Sequence, residues 1–214
     1  GSGKGTQAEL VADRFHAAHF DTGRHLEAVV HDPKNEDNPK IQEQRKLFDS
    51  GKLNDPAWVL SLVQERVREI HESELGVVFS GSPRTTFEAE GLVPLLEELY
   101  GKDNVYVFVL NISDETSIKR NSSRWVCSFC GAPLLAEYYP VENPKDCPRC
   151  GAPLRKRTLD NPETIKIRLG EYAERTAPIF PYMESREIVL THINGERRPF
   201  EVFEDIRGHL DKNN

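Results

Sequence analysis

Four cysteines stand in two pairs, Cys127-x2-Cys130 and Cys147-x2-Cys150, with sixteen residues between the pairs. That spacing suits four thiolates around one zinc ion, and in a reducing compartment it reads as a metal site before disulfides. Four protein ligands leave no open coordination position, so zinc there is structural and not catalytic. Gly131 and Gly151 follow the pairs and permit the tight turns that aim backbone N–H groups at sulfur. The segment holds few large apolar residues (Trp125, Phe129, Leu134, Leu135 and two tyrosines), so coordination replaces a core. The seven histidines are scattered and offer no ligand set.

A second constellation opens the chain: Gly1-Ser2-Gly3-Lys4-Gly5-Thr6-Gln7. Glycines let the backbone turn its N–H groups inward at a helix N-terminus, where the helix dipole adds to the attraction for phosphate. Lys4 adds a mobile charge for β- and γ-phosphates. A flexible glycine-rich terminus is the bland alternative, but the pattern runs into an apolar stripe of Ala8, Val11, Ala12 and Phe15. The motif's first glycine, and a strand leading into it, are expected upstream of residue 1. Arginines form the third group. Arg84, Arg120, Arg124, Arg157 and Arg168 carry planar forks that pair phosphate oxygens bidentately and stay charged. Residues 120–157 hold seven basic side chains against three acidic, which suits a lid closing on polyphosphate.

These groups need a frame. At 214 residues the chain has room for one core with insertions. The formal charge of −7 argues against a general nucleic-acid binder, whose affinity depends on neutralising phosphates. No run approaches the ~20 apolar residues that span a membrane, and no secretory signal is visible. A cytoplasmic location is expected. Helices are expected from within 1–6 to about Phe15, after Asp21-Thr22-Gly23, on either side of residues 51–56, and over 85–100, 161–172 and 200–210. Strands are expected at 18–20, 76–80, 105–112 and 187–192. Strands alternating with helices imply a parallel α/β sheet. The segment Cys-Ser-Phe-Cys-Gly-Ala-Pro-Leu from Cys127 repeats as Cys-Pro-Arg-Cys-Gly-Ala-Pro-Leu from Cys147.

Taken in order, these motifs resemble the adenylate kinases along nearly the whole chain. The phosphate loop is followed at family spacing by Asp21-Thr22-Gly23, Gly51-Lys52-Leu53, Gly81-Ser82-Pro83-Arg84-Thr85, the paired cysteines, and Arg157 through Arg168. The resemblance implies a P-loop, doubly wound α/β fold: a five-stranded parallel sheet, its first strand upstream, with two mobile insertions. The expected division is core 1–21, monophosphate-binding insertion 22–71, core 72–120, zinc lid 121–158 and core 159–214. It implies transfer of a phosphoryl group from ATP·Mg²⁺ to a nucleoside monophosphate by a monomer.

Site residues carried by the resemblance fall into two groups. On the ATP side they are Gly1, Ser2, Gly3, Lys4, Gly5, Thr6, Arg120, Arg124, Pro133, Leu134 and Arg198. On the acceptor side they are Thr22, Arg24, Glu27, Lys52, Leu53, Asn54, Gly81, Ser82, Pro83, Arg84, Glu88, Arg157 and Arg168. Arg84 is expected to grip the acceptor phosphate. Lys4, Arg124, Arg157 and Arg168 converge on the transferring group, and Arg120 lies against the donor nucleotide.

The acceptor side departs from the family pattern. The family has Asp, then Arg three residues on, where this chain has Arg24 and Glu27, so the two charges stand exchanged and Arg24 is expected to supply the phosphate-binding cation. A surface ion pair is the bland alternative. Ser80 replaces an aspartate that helps order magnesium, Glu88 replaces the glutamine that reads adenine, and Leu159 replaces the first of two hinge aspartates, with Asp160 kept. AMP is the first expectation for the acceptor. A kinase for GMP or another monophosphate, a catalytically weak nucleotide-binding protein, and a zinc-ribbon nucleic-acid module remain as alternatives.

Overall fold

A computed structural model describes residues 1–212. The chain enters its first helix, α1 (Lys4–Phe15), through Gly3, whose φ of 88° is a left-handed conformation that glycine adopts freely. Strand β1 (Ala18–Phe20) leads to α2 (Thr22–Val30), where the Asp21 carboxylate caps the Arg24 N–H at 3.1 Å. Helices α3 (Pro39–Asp49) and α4 (Pro56–Glu72) follow, each with proline in its first turn and an Asn38 or Asp55 cap. Next come β2 (Val77–Phe79), α5 (Thr86–Tyr100), β3 (Val107–Asn111) and α6 (Asp114–Ser123). Three short strands, β4 (Trp125–Cys127), β5 (Pro133–Leu134) and β6 (Leu154–Arg155), form an antiparallel sheet in the order β5-β4-β6. The chain closes with α7 (Pro162–Glu171), a π-helical turn over 172–176, α8 (Ile179–Ser185), β7 (Leu190–Asn194) and α9 (Pro199–Leu210).

The four core strands are parallel and pair two by two. β1 runs beside β2, with Ala18 opposite Val77, and β3 beside β7, with Val107 opposite Leu190. Where one five-stranded sheet is expected from the sequence, the described residues show four parallel strands in two separate pairs. The largest apolar cluster is built on the α4 stripe Val59, Val63, Val67 and Ile70, packed with Phe20, Leu26, Phe48, Trp58 and Leu92. Burying each such side chain contributes about 1.5–3 kcal/mol. Leu159, at the base of the small sheet, belongs to this same cluster. Leu159 therefore joins the segment between β6 and α7 to this cluster. Two smaller clusters gather around Val93, Ile179 and Met183, and around Ile193, Val202 and Ile206.

Helix boundaries follow the sequence closely, but α6, α8 and the three-stranded sheet are not among the expected elements, and the last strand starts late. α6 has one apolar residue of any size, Ile118, so periodicity gives no sign of it; its signals are the Ser113 cap and the acidic first turn, Asp114 and Glu115. α8 follows Pro178 without a side-chain cap. The last strand begins at Leu190 and not at Glu187, because residues 186–188 close α8, with Glu187 at φ 64° and Ile188 N–H bonded to the Met183 carbonyl at 3.1 Å.

Candidate active site

The phosphate loop places Lys4 at the first turn of α1, its ammonium 3.2 Å from Ser2 Oγ. Gly5 and Thr6 follow in the same turn, and Gln7 ties α1 to α9 by donating to the Pro199 carbonyl at 2.9 Å. The Lys4 side chain still reaches solvent, yet the cleft displaces much of its hydration and Arg84, Arg168 and Arg124 repel its charge. Together these lower its pKa to about 8. Arg168 is pushed down in the same way, by burial first and then by Arg157, Arg84 and Arg124. A cluster of five cations with so few counter-charges is expensive on its own and complementary to polyphosphate.

One carboxylate is placed against this cluster. Asp160 accepts from Arg124 Nε at 2.9 Å and Nη2 at 2.7 Å, and stands 3.8 Å from Arg168 Nη1. Its side chain is 3% exposed. Asp160 is not among the sequence-derived site residues, although it is the one hinge aspartate of the family pattern that this chain keeps.

Below the cations lies a pocket lined by residues from α2, the turn before α4, the strand-to-helix turn after β2, and α7. Thr22, Lys52, Leu53, Asn54, Gly81, Arg84, Glu88, Arg157 and Arg168 all contribute to its wall. Thr22 Oγ1 is buried there without a protein partner. The Ser82–Pro83 peptide is cis, and Ser82 Oγ is likewise buried without a protein partner. Arg84 is braced by its Nε–H donating to the Gly81 carbonyl at 2.9 Å, with Thr176 Oγ1 donating to the Arg84 carbonyl at 2.9 Å. Asn54 is turned inward, donating to the carbonyl and Oε1 of Gln44 at 2.7 and 3.1 Å, so it shapes the turn. Glu171, another residue the sequence reading passed over, receives the Leu53 N–H at 3.1 Å and so ties this turn to α7.

Glu88 is buried, its Oε2 accepting the Arg84 N–H at 3.0 Å and its Oε1 the Thr85 hydroxyl at 3.1 Å. Burial raises its pKa, against the pull of these hydrogen bonds and of the Arg84 and Arg175 charges. Ser80 Oγ lies 2.9 Å from His19 Nε2.

Arg24 and Glu27, expected beside the acceptor phosphate, turn to other partners. Neither lines the pocket. Arg24 Nη2 donates to the Phe129 carbonyl at 3.0 Å, and Glu27 meets Arg155 Nη2 at 3.4 Å, because both side chains extend from α2 towards the small sheet. On the donor side, Arg120 is buried and donates to the carbonyls of Gly195 and Glu196 at 2.7 and 3.1 Å. Its charge thus braces the β7–α9 turn. A crevice of about 560 Å³ opens beside it between Glu137, Tyr138, Glu196, Arg197, Arg198 and Glu201. Pro133 and Leu134 form β5 nearby, with Leu134 buried.

The four cysteine sulfurs all lie within 4.8 Å of one another, with Cys127 and Cys150 at 3.5 Å and Cys130 and Cys147 at 3.7 Å. Zinc–thiolate bonds of about 2.3 Å in a tetrahedron set sulfurs about 3.8 Å apart, so the cluster fits one such ion. The Cys130 N–H points to Cys127 Sγ at 3.4 Å, the kind of contact that stabilises a thiolate.

The adenylate kinase family model matches residues 1–188. The adenylate kinase of Lactobacillus johnsonii is 33% identical over 99% of this chain and 95% of its own length. That of Lactobacillus helveticus is 35% identical over 100% and 95%, and that of Chlamydia pneumoniae 34% over 96% and 91%. With its phosphate loop, arginine cluster and paired cysteines in the family's order, the chain belongs to the adenylate kinase family.

Proposed function

We propose that the chain reversibly transfers the γ-phosphoryl group of ATP·Mg²⁺ to AMP, giving two molecules of ADP. The observation that carries this reading is the gathering of Lys4, Arg84, Arg124, Arg157 and Arg168 between the phosphate loop and the acceptor pocket. An oxygen of the acceptor phosphate forms the new bond to the γ-phosphorus as the bond to the β–γ bridging oxygen breaks. The electron pair leaves with ADP, and no proton need move. Such a transfer asks the protein for positioning and charge, which the arginine forks and the loop N–H groups supply.

In this reading Arg84 and Arg157 hold the acceptor phosphate, while Lys4, Arg124 and Arg168 hold the oxygens of the group in flight. The donor base occupies the crevice beside Arg198. Residues 22–71 and 121–158 move as the two insertions, and one zinc ion on Cys127, Cys130, Cys147 and Cys150 holds the lid in shape. No described helix is long and apolar enough to cross a membrane, and the reading places the enzyme in the cytoplasm as a monomer.

A coupled assay with ATP and each of AMP, GMP, UMP and CMP tests the reading. Turnover with AMP is expected, reduced at least ~10²-fold by Lys4→Ala or Arg168→Ala, because one preorganised charge at such a site contributes about 2.7–4 kcal/mol. No turnover with any monophosphate would leave a nucleotide-binding protein without catalysis.

A further inference from the structure

The two charges that depart from the family pattern meet the cysteine lid, and each meets a different part of it. From the first turn of α2, Arg24 donates through Nη2 to the Phe129 carbonyl at 3.0 Å and through Nη1 to the Cys130 carbonyl at 3.4 Å. Both carbonyls belong to the first cysteine knuckle. Three residues on, and on the same helix face, Glu27 faces Arg155 of β6 at 3.4 Å. The second knuckle is docked elsewhere, its Arg149 paired with Glu9 of α1. Each knuckle therefore rests on the helix that opens one of the two nucleotide sites.

Gly131 shows how closely the first contact is fitted. A Cβ there would lie 2.6 Å from Arg24 Nη1 and 3.0 Å from its Cζ. Gly151 occupies the equivalent place in the second knuckle with almost the same φ, 74° against 73°, and a Cβ there would meet nothing within 4 Å. The carbonyls of Phe129 and Cys130 present their dipoles to Arg24 only while the knuckle is folded. Four thiolates around a zinc ion also carry a net negative charge, which favours a guanidinium beside them.

We propose that Arg24 is a positioning residue that latches the acceptor-side helix to the first cysteine knuckle, supported by the Glu27–Arg155 pair. Closing the lid on α2 carries Arg124 and Arg157 to the cleft, so the latch sets how often the catalytic cations are in place. The latch rests on the kinase reading only for its consequence in turnover; closure itself can be read without catalysis.

The test compares wild type, Arg24→Ala, Arg24→Lys, Gly131→Ala and Gly151→Ala. Energy transfer between dyes carried by unnatural amino acids at the exposed positions 40 and 142 reports lid closure with ATP bound and no acceptor present. Arg24→Ala and Gly131→Ala are expected to lower the closed fraction at least threefold, with Arg24→Lys between them and wild type. Gly151→Ala, which imposes the same backbone strain, is expected to keep the wild-type fraction. All variants should retain one zinc by elemental analysis. With AMP, the same two variants should lose kcat and hold KM within about twofold. Equal closed fractions for Gly131→Ala and Gly151→Ala, or a wild-type fraction in Arg24→Ala, overturns the latch. A rise in acceptor KM confined to Arg24→Ala overturns it too, and returns Arg24 to the acceptor phosphate. Absence of turnover in wild type would end the kinase reading and leave the closure measurement intact.

Discussion

Arg124 and Asp160 are joined by two parallel hydrogen bonds, Nε to Oδ2 at 2.9 Å and Nη2 to Oδ1 at 2.7 Å, across the base of the small sheet. Arg124 ends α6 and Asp160 precedes α7, so the pair ties together the two chain segments that flank the small sheet. A bidentate pair fixes the plane of the guanidinium as well as its place. The carboxylate is also the nearest counter-charge to Arg168. Asp160 thus holds Arg124 and stands against Arg168, two of the cations proposed above for the group in flight.

Asp160→Asn is expected to lower kcat about tenfold or more while leaving ATP affinity within a few-fold, since the amide keeps one hydrogen bond but not the charge. The melting temperature should fall by several degrees, because removing one partner of a buried pair leaves the other uncompensated. Steady-state kinetics and a thermal melt check both. Wild-type kcat with a lowered melting temperature would confine Asp160 to stability.

Lys4 gives the enzyme a pH signature. Its pKa of about 8 in the free protein must rise when phosphates surround it, because the charged form then gains opposite charges. ATP affinity is therefore full below pH 8 and declines as pH rises from about 8 towards the higher pKa of the complex. Calorimetry at pH 8 in buffers of different ionisation heat should report uptake of about half a proton. Lys4→Met should abolish that uptake. Uptake that persists in the variant would assign the proton to another group.

Zinc removal should act on stability first. The small sheet has few buried residues beyond Cys127, Leu134 and Cys147, so zinc on the four thiolates would supply its folding free energy. Chelation, or Cys147→Ser, should lower the melting temperature and release the lid to proteolysis, with the phosphate loop still binding ATP. A metal-replete preparation should contain one zinc per chain. Zero zinc with an unchanged melt on chelation would show that the thiols do not hold metal.

Much of this was legible in the sequence, for reasons that differ by element. The phosphate loop and the cysteine pairs are local patterns, and local spacing fixes which atoms can meet. α4 and β3 announce themselves through burial, the first with a stripe and the second with an unbroken apolar run. Arg24 and Glu27 could be seen to be unusual, but their partners lie 105 to 128 residues away and no local spacing names them. Arg120 reads as a residue against the donor nucleotide, and no local signal names its bonds to the Gly195 and Glu196 carbonyls, 75 and 76 residues away. α6 stayed hidden because a helix with one face against the core and few apolar residues leaves little periodic signal.

Glu88 remains the residue on which the choice of acceptor base turns. Its carboxylate lines the pocket and is already held by the Arg84 N–H and the Thr85 hydroxyl, which leaves two acceptor sites for a ligand. Ionised, it can only accept, which suits the adjacent N1–H and 2-amino donors of guanine. Protonated, it both donates and accepts, and offers adenine the edge that glutamine would. Burial favours the protonated form, so Glu88 changes character at a higher pH than an exposed carboxylate. The ratio of kcat/KM for AMP to that for GMP is therefore expected to fall as pH rises through the titration of Glu88, above the usual carboxylate range. Leaving one polar group unpaired costs about 1–3 kcal/mol, so the change should span roughly five- to a hundredfold. Glu88→Gln should hold the AMP preference flat across the same range. A wild-type ratio that is flat and equal to that of Glu88→Gln would show that Glu88 only caps α5, and that backbone groups and the unpaired Thr22 hydroxyl read the base.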